Sequence, residues 1–486
     1  MAMAACISFS SCVDLDKDPL GNAQAGEVEN EKQAFLRLAA VYSDMKDFRY
    51  TWSTIAFGEV LSDDATFSGS DNDAASFTLM ESYQYPADHN AILNKYSQTY
   101  QCINKANLVI RDFEKADDAM FSEYNKEQMI GEAKFIRAYS YFELVKTFGG
   151  VPLYTSVLEL NHERLGRAST AEVYAAIEKD LMDAAEVLPS KGEIKNYMQK
   201  YAGRITKGAA YAMMTRVYLY DKKYDKVKEA AKKVFALNEY RLIEDYQEQF
   251  LLSGEHGPES ILEVNMYNSP TLGRWNVNNG NRHVLMSLPR NMTIGFGCGQ
   301  PTKSLAEAYD KAGDVVRKHA TLLSSEEAIA IEKEAHGDVP ALTGDRTGWY
   351  NRKLYLKPGE REENYGNNQP LNHKLIRLAE VYMNYAEACA LTGDEAEAKI
   401  YLNKIRSRAK LPTITSSGSQ LFEDIMNERH LEFGMEGFRF FDVVRVGWGP
   451  KVFKGFKPGA EVLPIPQIEI DISKGEIVQN PRPGID

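Results

Sequence analysis

The residues of this sequence that could do acid–base chemistry fall into two acidic groups. Asp63 and Asp64 are adjacent, whereas the second group is a run of acidic and basic residues at helical spacing: Glu428, Arg429, Glu432, Glu436, Arg439, Asp442 and Arg445. Cleavage of a glycosidic bond requires two carboxyl groups that flank one bond at a separation of about 5 to 10 Å. Adjacent side chains tend to point apart, and the spacing of the second group favours ion pairs. We therefore do not expect catalysis from either group.

No other motif for catalysis or cofactor binding occurs in the sequence. The phosphate-binding pattern GxxxxGK[ST] and the zinc motif HExxH are missing, and Gly295–Gly299 lacks the preceding strand and the spacing of a dinucleotide loop. The eight histidines show no ligand spacing, and the five cysteines are odd in number without a CxxC pair. We predict that the protein is not an enzyme and uses no cofactor or metal ion.

Aromatic residues in loops are better candidates for a functional surface. From Asn238 to Gln369 helical periodicity fades, and Gly, Asn, Pro and aromatic residues become frequent. Within this insertion we predict helices at about Ser304–Asp310 and Ser324–His336, and a short strand that begins at Trp349. A long irregular insertion between helices usually has a function. Its candidate ligand-surface residues are Tyr267, Trp275, Phe296, Trp349 and Tyr350.

The elements that must carry these loops are amphipathic helices. Within residues 375–409, apolar residues recur every three or four positions on both sides of Thr392 and Gly393. This pattern predicts two antiparallel helices joined by one turn. Asp394 and Glu397 have the spacing of a capping box at the start of the second helix. Tyrosines that alternate with alanines at the contact are similar to the tetratricopeptide pattern.

The same unit occurs a second time in the chain. RVYLYDKKYDKVKEAAKKV aligns without a gap with EACALTGDEAEAKIYLNKI, which predicts a helix pair at about Ile205–Tyr220 and Tyr224–Leu237. Further helices are predicted at about Glu31–Met45, Ala91–Phe113, Lys126–Phe148, and between a Ser169–Glu172 capping box and Pro189. Recurring helix pairs predict a mainly α fold, a tetratricopeptide-like superhelix with a loop-rich lobe and a few short strands.

Composition excludes several classes of protein. The chain has 486 residues, of which 44% are hydrophobic and 26% charged, as expected of a globular protein. Its formal net charge of -12 disfavours binding to nucleic acid or to anionic lipid. Because no segment is long and apolar enough to span a bilayer, we expect membrane attachment only through an anchor.

Cys12 is the candidate for such an anchor. It follows a short run of apolar and small residues, Ile7–Ser11, and precedes an aspartate-rich segment. This order is similar to the end of a bacterial lipoprotein signal, in which the cysteine is lipidated. The residues before Cys12 include no lysine or arginine and form too short an apolar stretch. We therefore expect residues 1–12 to be a remnant of a signal and residues 13–30 to be a tether.

Seven sequence blocks between about residue 31 and residue 483 resemble the SusD/RagB family of surface lipoproteins, in the order of that family. The blocks are FIRAYSYFELVKTFGGVPL, RASTAEVYAAIEKDLMDAAEVLP, ITKGAAYAMMTRVYL, IRLAEVYMNYAEA, NERHLEFGMEGFRFFDVVRVG, LPIPQIEID and Gln479-Asn480-Pro481. The resemblance implies four tetratricopeptide-like helix pairs and a variable lobe with the ligand site. It also implies an outer-membrane location through lipidated Cys12.

The function implied by the resemblance is capture of an oligosaccharide at the cell surface and its delivery to a SusC-like TonB-dependent transporter. Sugar rings stack on exposed aromatic rings, with a gain of roughly 1 to 3 kcal/mol per ring, and polar side chains bind the hydroxyls. The aromatic candidates are Phe67, Tyr83, Tyr85, Trp275, Phe296, Trp349 and Tyr350. The candidate hydroxyl partners are Asp71, Asn72, Asn90, Asn276 and Arg352.

We expect residues 31–486 to form one SusD-like domain. Its helical repeats should lie mainly at about 31–65, 91–237 and 371–445, and its ligand lobe at about 66–90 and 238–370. Two alternatives stay open at this stage. The protein could be a peptide-binding member of the same family, or a protein–protein interaction scaffold with a concave helical groove.

Overall fold

Helices dominate the first half of the chain. The computed structural model describes residues 28–47, 54–70, 77–157, 165–268, 280–291, 293–362 and 369–482. The first helices are α1 (Glu31–Asp44), α2 (Asn90–Lys115), α3 (Lys126–Phe148), α4 (Thr170–Val187), α5 (Tyr197–Lys200), α6 (Lys207–Tyr220) and α7 (Tyr224–Leu237). A π-helix, Thr54–Val60, lies between α1 and α2.

The remaining helices and six short strands follow. The middle helices are α8 (Arg282–Ser287), α9 (Lys303–Ala312), α10 (Val315–Thr321) and α11 (Ser325–His336). The last are α12 (Leu378–Leu391), α13 (Glu395–Arg408), α14 (Gly418–Phe433), α15 (Arg439–Arg445), α16 (Gly449–Val452) and α17 (Gln467–Ile472). The strands are β1 (Ala65–Thr66), β2 (Ser260–Val264), β3 (Gln300–Pro301), β4 (Leu322–Ser324), β5 (Trp349–Asn351) and β6 (His373–Arg377). They form the antiparallel pairs β1–β3, β2–β6 and β4–β5.

The long helices pack as four pairs. α1 packs against α2, α3 against α4, α6 against α7, and α12 against α13. Neighbouring pairs are joined because α2 also contacts α3, α4 contacts α6, and α7 contacts α12. One large apolar core runs through these helices. The predicted mainly α, tetratricopeptide-like fold is confirmed. Within the part of the chain that the structure describes, no helix has both the length and the apolar character needed to cross a bilayer.

The contact between α7, α12 and α13 shows how the two helix pairs with similar sequence pack against each other. The rings of Phe235 and Tyr401 stack with centroids 4.9 Å apart, and the Tyr385 ring meets the Tyr401 ring edge-on at 4.7 Å. Ala386 and Ala398 beside them are fully buried. Large rings on one helix therefore pack where alanines leave room on the other, as the sequence predicts.

The end of α3 is set by two glycines. Gly149 has a φ of +72°, a conformation that favours glycine, and its N–H donates to Val145 O. A Cβ on Gly150 would lie 2.4 Å from Ala168 O. The chain leaving α3 therefore runs directly against the segment that leads into α4, where the predicted Ser169–Glu172 capping box is present.

The start of the 375–409 pair differs from the prediction. Leu375 belongs to β6, and the helix begins only at Leu378. Leu375 is in a strand because β6 pairs with β2, more than 100 residues earlier. Local periodicity cannot indicate so distant a partner. Asp394 occupies the N-cap position but makes no capping hydrogen bond. The predicted capping box is therefore wrong, and the Glu397 carboxylate instead accepts a bond from the Tyr385 hydroxyl.

The insertion is more regular than its composition indicates. α9 and α11 confirm the two predicted helices, and β5 confirms the predicted strand. The short helices α8 and α10 were not expected, because six or seven residues show too little periodicity to detect. Three small apolar clusters support this lobe beside the main core, and one of them also includes Leu431 and Met435 from outside the insertion.

Candidate functional site

The structure brings the two predicted parts of the ligand lobe together. We call the two predicted lobe segments, at about 66–90 and 238–370, the early and the late excursion. β1, at the start of the early excursion, pairs with β3 in the late excursion. The Ser68 hydroxyl donates to Gly297 O at 2.6 Å, and the Gln300 amide donates to Gly344 O at 3.0 Å. Segments 65–70, 295–301 and 344–349, which are far apart in sequence, therefore meet at one junction, which we call the lobe junction.

Glycines allow this close approach. A Cβ on Gly344 would lie 2.3 Å from Gly69 O, a distance that real side chains do not reach. Both residues have positive φ, +70° for Gly344 and +104° for Gly69. The backbones of the two excursions thus touch directly, and a larger residue at Gly344 would push them apart.

Four of the predicted site residues border this lobe with some exposure. The Phe296 and Trp349 side chains are half-buried, and Asn90 is exposed at the first position of α2. Lys318 Nζ lies 5.7 Å from the centre of the Trp349 ring. Tyr267, just beyond β2, is 62% exposed. These residues stay candidates for contact with a ligand.

The structure contradicts the prediction that Phe67 and Tyr83 present open rings. Each is 2% exposed. The Phe67 ring stacks on Phe77 with centroids 3.9 Å apart, and the Tyr83 hydroxyl donates to Leu61 O at 2.6 Å. Both rings are core, because the excursion folds back over the π-helix region instead of projecting into solvent.

Tyr85 and Tyr350 are buried for a similar reason, each being 1% exposed. The Arg482 guanidinium lies over the Tyr85 ring at 5.1 Å, so the end of the chain covers it. Tyr350 packs in the small apolar cluster of the insertion with Leu323 and Leu356. Neither ring can stack on a sugar in this structure, and these two predictions also need correction.

Arg352 is less available for a ligand than its sequence position indicates. Its guanidinium donates to the Glu327 carboxylate, at 2.8 Å from Nη1, and to Leu322 O at 3.2 Å from Nε. The side chain therefore joins α11 to the strand β4. The remaining predicted residues lie outside the described residues: Cys12, Asp71, Asn72, Trp275 and Asn276.

The acidic pair at 63–64 is engaged by two side chains from the C-terminal helices. Arg439 donates to both oxygens of Asp63 at 2.7 and 3.0 Å, and His430 Nε2 lies 2.5 Å from Asp64 Oδ1. Burial opposes ionisation of Asp63, but the hydrogen bond and charge of Arg439 outweigh it and lower the pKa of Asp63.

The fold thus places a histidine beside two carboxylates, which the spacing of the histidines did not indicate. Ligand-type atoms of Asp63, Asp64 and His430 lie within 4.8 Å of one another. No local signal could reveal this, since Asp64 and His430 are 366 positions apart. The guanidinium on Asp63 neutralises one carboxylate, so the group is better suited to an ion-pair cluster than to a general acid and base.

The glutamates of α14 are also engaged in ion pairs. The Glu432 carboxylate is fully buried and lies within ion-pair distance of Arg317, Arg377 and Arg408. Burial opposes its charge, yet these three cations hold the pKa of Glu432 far below its ordinary value. The prediction of ion pairs is correct, but most partners come from other elements instead of neighbouring turns of one helix.

Two family models match different parts of the chain. Residues 324–462 match the SusD family, and residues 32–219 match a family described as starch-binding and associating with the outer membrane. A SusD-like protein of Bacteroides ovatus is 25% identical over 473 residues, which covers 90% of this chain and 80% of that protein.

Solved structures share the fold. A laminarin-binding SusD-like protein superposes with a TM-score of 0.79 at 29% identity, covering 93% of this chain and 100% of the other. Surface glycan-binding protein A of Bacteroides thetaiotaomicron, in complex with laminarihexaose, also gives a TM-score of 0.79, at 22% identity and with 93% and 99% coverage. The regions matched by the two family models lie in the first and the second half of the chain, and the solved structures share its fold. The chain is therefore similar to SusD-family proteins over most of its length and shares their fold.

Proposed function

We propose that this protein binds oligosaccharides at the cell surface without cleaving them and delivers them to a SusC-like TonB-dependent transporter. The observation that supports this most is the lobe junction, where two excursions from a helical scaffold meet beside half-buried aromatic rings. The same scaffold occurs in a relative named for laminarin binding. A rigid scaffold that presents loop residues is the usual arrangement of a binding site.

The lobe offers the groups that a sugar needs. Trp349 and Phe296 are half-buried, and the Tyr267 ring is mostly exposed, so each has surface left for contact with the apolar face of a pyranose ring. Asn90 supplies an exposed amide that can bind hydroxyls. Asp71, Asn72, Trp275 and Asn276 are proposed to belong to the same surface.

The pairing of the acidic residues supports the proposal that binding occurs without cleavage. Asp63 and Asp64 are held by Arg439 and His430, and Glu432 is buried among arginines. A glycosidase needs one carboxyl that gives up a proton and one that attacks or activates water at the same bond. Carboxylates engaged in such ion pairs are poorly placed to act on a substrate.

An outer-membrane location is proposed from the family described as associating with that membrane. Cys12 would carry the lipid, and the segment between Cys12 and α1 would be the tether. A lipid at this end would leave the lobe free to meet nutrients, while another face contacts the transporter.

The experiment is binding of the purified protein to an array of neutral and acidic glycans, with a peptide mixture spotted beside them. We expect saturable binding to at least one oligosaccharide, and recovery of that oligosaccharide intact after incubation. Binding to peptides alone would instead favour the peptide-binding alternative, and shortened products would show that the protein is an enzyme.

A further inference from the structure

A pocket lies on the helical scaffold, away from the lobe junction. It has a volume of about 370 Å³, within the size range of small-ligand sites. Its walls are one side of α2, the chain that leaves α3 at Pro152 and Tyr154, and the C-terminal segment at Glu469 and Ile477. The first lining residue, Tyr96, is about 9 Å along α2 from Asn90, given a rise of 1.5 Å per residue. None of the predicted site residues lines this pocket.

Tyrosines form its aromatic wall. Tyr100 and Tyr154 are half-buried, and their ring centroids are 6.0 Å apart in an edge-to-face arrangement. Tyr96 is only 2% exposed, and its buried hydroxyl lies beside that of Tyr100, which donates to Pro152 O at 2.7 Å.

The pocket is held rigid from behind. Asn107 donates to Tyr154 O and Ser156 O, each at 3.0 Å, and accepts a bond from Arg137 at 2.8 Å. Arg137 is in turn fixed by two bonds to Asp180 on α4 at 2.8 and 2.7 Å. The aromatic wall therefore does not have to be ordered when a ligand arrives, which favours binding.

The free polar groups are amides. Gln101 and Asn104 are exposed at the mouth, one turn apart on α2, and no hydrogen bond holds either side-chain amide to another described residue. Among the described residues that line the pocket, none is lysine or arginine, and Glu469 is the only charged one. Aromatic faces with unpaired amides and no cation match a neutral saccharide and disfavour sulfated or uronic sugars.

We infer that this pocket is a second saccharide site, which binds a short neutral unit of a glycan whose remainder is free to extend toward the lobe. The inference rests on the proposed glycan binding, and it assigns a site on the scaffold in addition to the lobe. Tyr100 and Tyr154 contact the sugar ring, and the amides of Gln101 and Asn104 bind its outer hydroxyls.

The test is calorimetric titration of laminarihexaose and maltohexaose into the full chain and two variants. Asn104→Trp places an indole across the mouth at an exposed helical position. Glu114→Trp adds the same side chain at an exposed position of α2 outside the pocket, so it is the matched control. Hydrogen exchange of residues 96–107 and 150–156 with and without glycan gives a second readout, independent of affinity.

We expect the wild type and Glu114→Trp to bind a neutral hexasaccharide at two sites, with slower exchange in both segments. Asn104→Trp should retain one site and lose the protection. Equal stoichiometry and equal protection in Asn104→Trp and wild type would overturn the inference while leaving lobe binding intact. A wild type that binds neither saccharide nor any other neutral glycan would contradict both this inference and the proposed function.

Discussion

The surroundings of the Glu59 side chain disfavour its negative charge. It lies in the π-helix, is 4% exposed, and faces the same interior as Lys353 and Glu436. Burial and the negative charges of Asp64 and Glu436 raise the pKa of Glu59 well above its ordinary value, and Lys353 offsets only part of this. A raised pKa means that the folded protein favours the neutral acid, so ionisation of Glu59 works against folding.

We predict that Glu59→Gln stabilises the protein at neutral pH. The unfolded chain ionises Glu59 above about pH 4.3, whereas the folded chain resists ionisation, so wild-type stability should fall as pH rises through that value. The gain in melting temperature should therefore be present at pH 7 and shrink towards pH 4. Thermal unfolding of both proteins across this range checks it. A gain that is larger at pH 4 than at pH 7 would contradict the assignment.

Single residues also show where sequence reasoning reaches its limit. Trp349 and Tyr350 are neighbours in one aromatic-rich segment, yet alternation along β5 leaves the first half-buried and buries the second. Phe67 is covered by Phe77, ten residues later. Composition identifies a loop rich in rings, but the elements that cover those rings come from elsewhere in the chain.

At the scale of elements, the two excursions of the lobe depend on their glycines. Gly344 and Gly348 both have positive φ, +70° and +79°. Only Gly344 has a backbone neighbour, Gly69 O, in the space that a Cβ would fill, and Gly348 has nothing within 4 Å. Alanine substitutions at these two glycines therefore separate two free-energy costs. One is the cost of the backbone conformation, and the other is the cost of forcing the excursions apart.

We expect Gly344→Ala to weaken glycan binding, whereas Gly348→Ala should bind nearly as the wild type does. Both variants should lose about 1–2 kcal/mol of stability from the left-handed conformation, with a further loss in Gly344→Ala from the clash. Calorimetric titration and chemical denaturation of both variants measure these effects. Identical behaviour of the two variants in both measurements would show that contact at the lobe junction is unimportant.

A buried ion network joins the lobe to the helical scaffold. Arg317 on α10 belongs to the lobe, whereas Arg408 ends α13 and Glu432 lies on α14. All three side chains are at most 4% exposed, and Glu432 links the two arginines. Removal of a buried carboxylate reduces the compensation of its cations in a low-dielectric environment.

Glu432→Gln should therefore destabilise the protein by about 3–5 kcal/mol. Glu307→Gln is the control, since its pairing with Lys303 at 3.4 Å is on the surface and should matter little. Urea denaturation monitored by circular dichroism gives the difference. A loss in Glu432→Gln no larger than in the control would mean that the network does not stabilise the joint between lobe and scaffold.

Helices were the elements that could be predicted best. α3 and α7 begin and end where the sequence indicates, because strong periodicity is bounded by glycine and by turn residues. β6 could not be predicted, since Leu375 and Ile376 fit a helix locally and only pairing with β2 makes them a strand. The arginines of the ion network were missed for the same reason, because their partners lie on other elements.

For the whole molecule, the scaffold and the resemblance to the family could be predicted from sequence, but the surface of the binding site could not. Four helix pairs repeat a pattern that each helix shows on its own, so the fold follows from local signals. The tyrosine-lined pocket combines α2 with residues near 153 and 477, and no single segment indicates it. In the proposed function, attachment to the membrane depends on one residue, Cys12.

We predict that Cys12→Ser releases the protein from the membrane fraction of cells that express it. A serine cannot carry the thioether-linked lipid, and the helices of the described residues offer no span as a substitute. Cys102→Ser is the control, because Cys102 is buried in the core. Fractionation followed by immunoblotting should find Cys12→Ser soluble and the control in the membrane. Equal membrane association of both variants would argue against the anchor.

The most direct test of lobe binding is calorimetric titration of an array-selected glycan into wild type, Trp349→Ala and Trp448→Ala. Both indoles are half-buried, but Trp448 belongs to the helical scaffold. Loss of one stacking ring should weaken binding of Trp349→Ala by about tenfold or more, with Trp448→Ala unchanged. Melting temperatures of the two variants confirm that each is folded. A Trp349→Ala protein that binds the glycan as tightly as the wild type would contradict capture at the lobe.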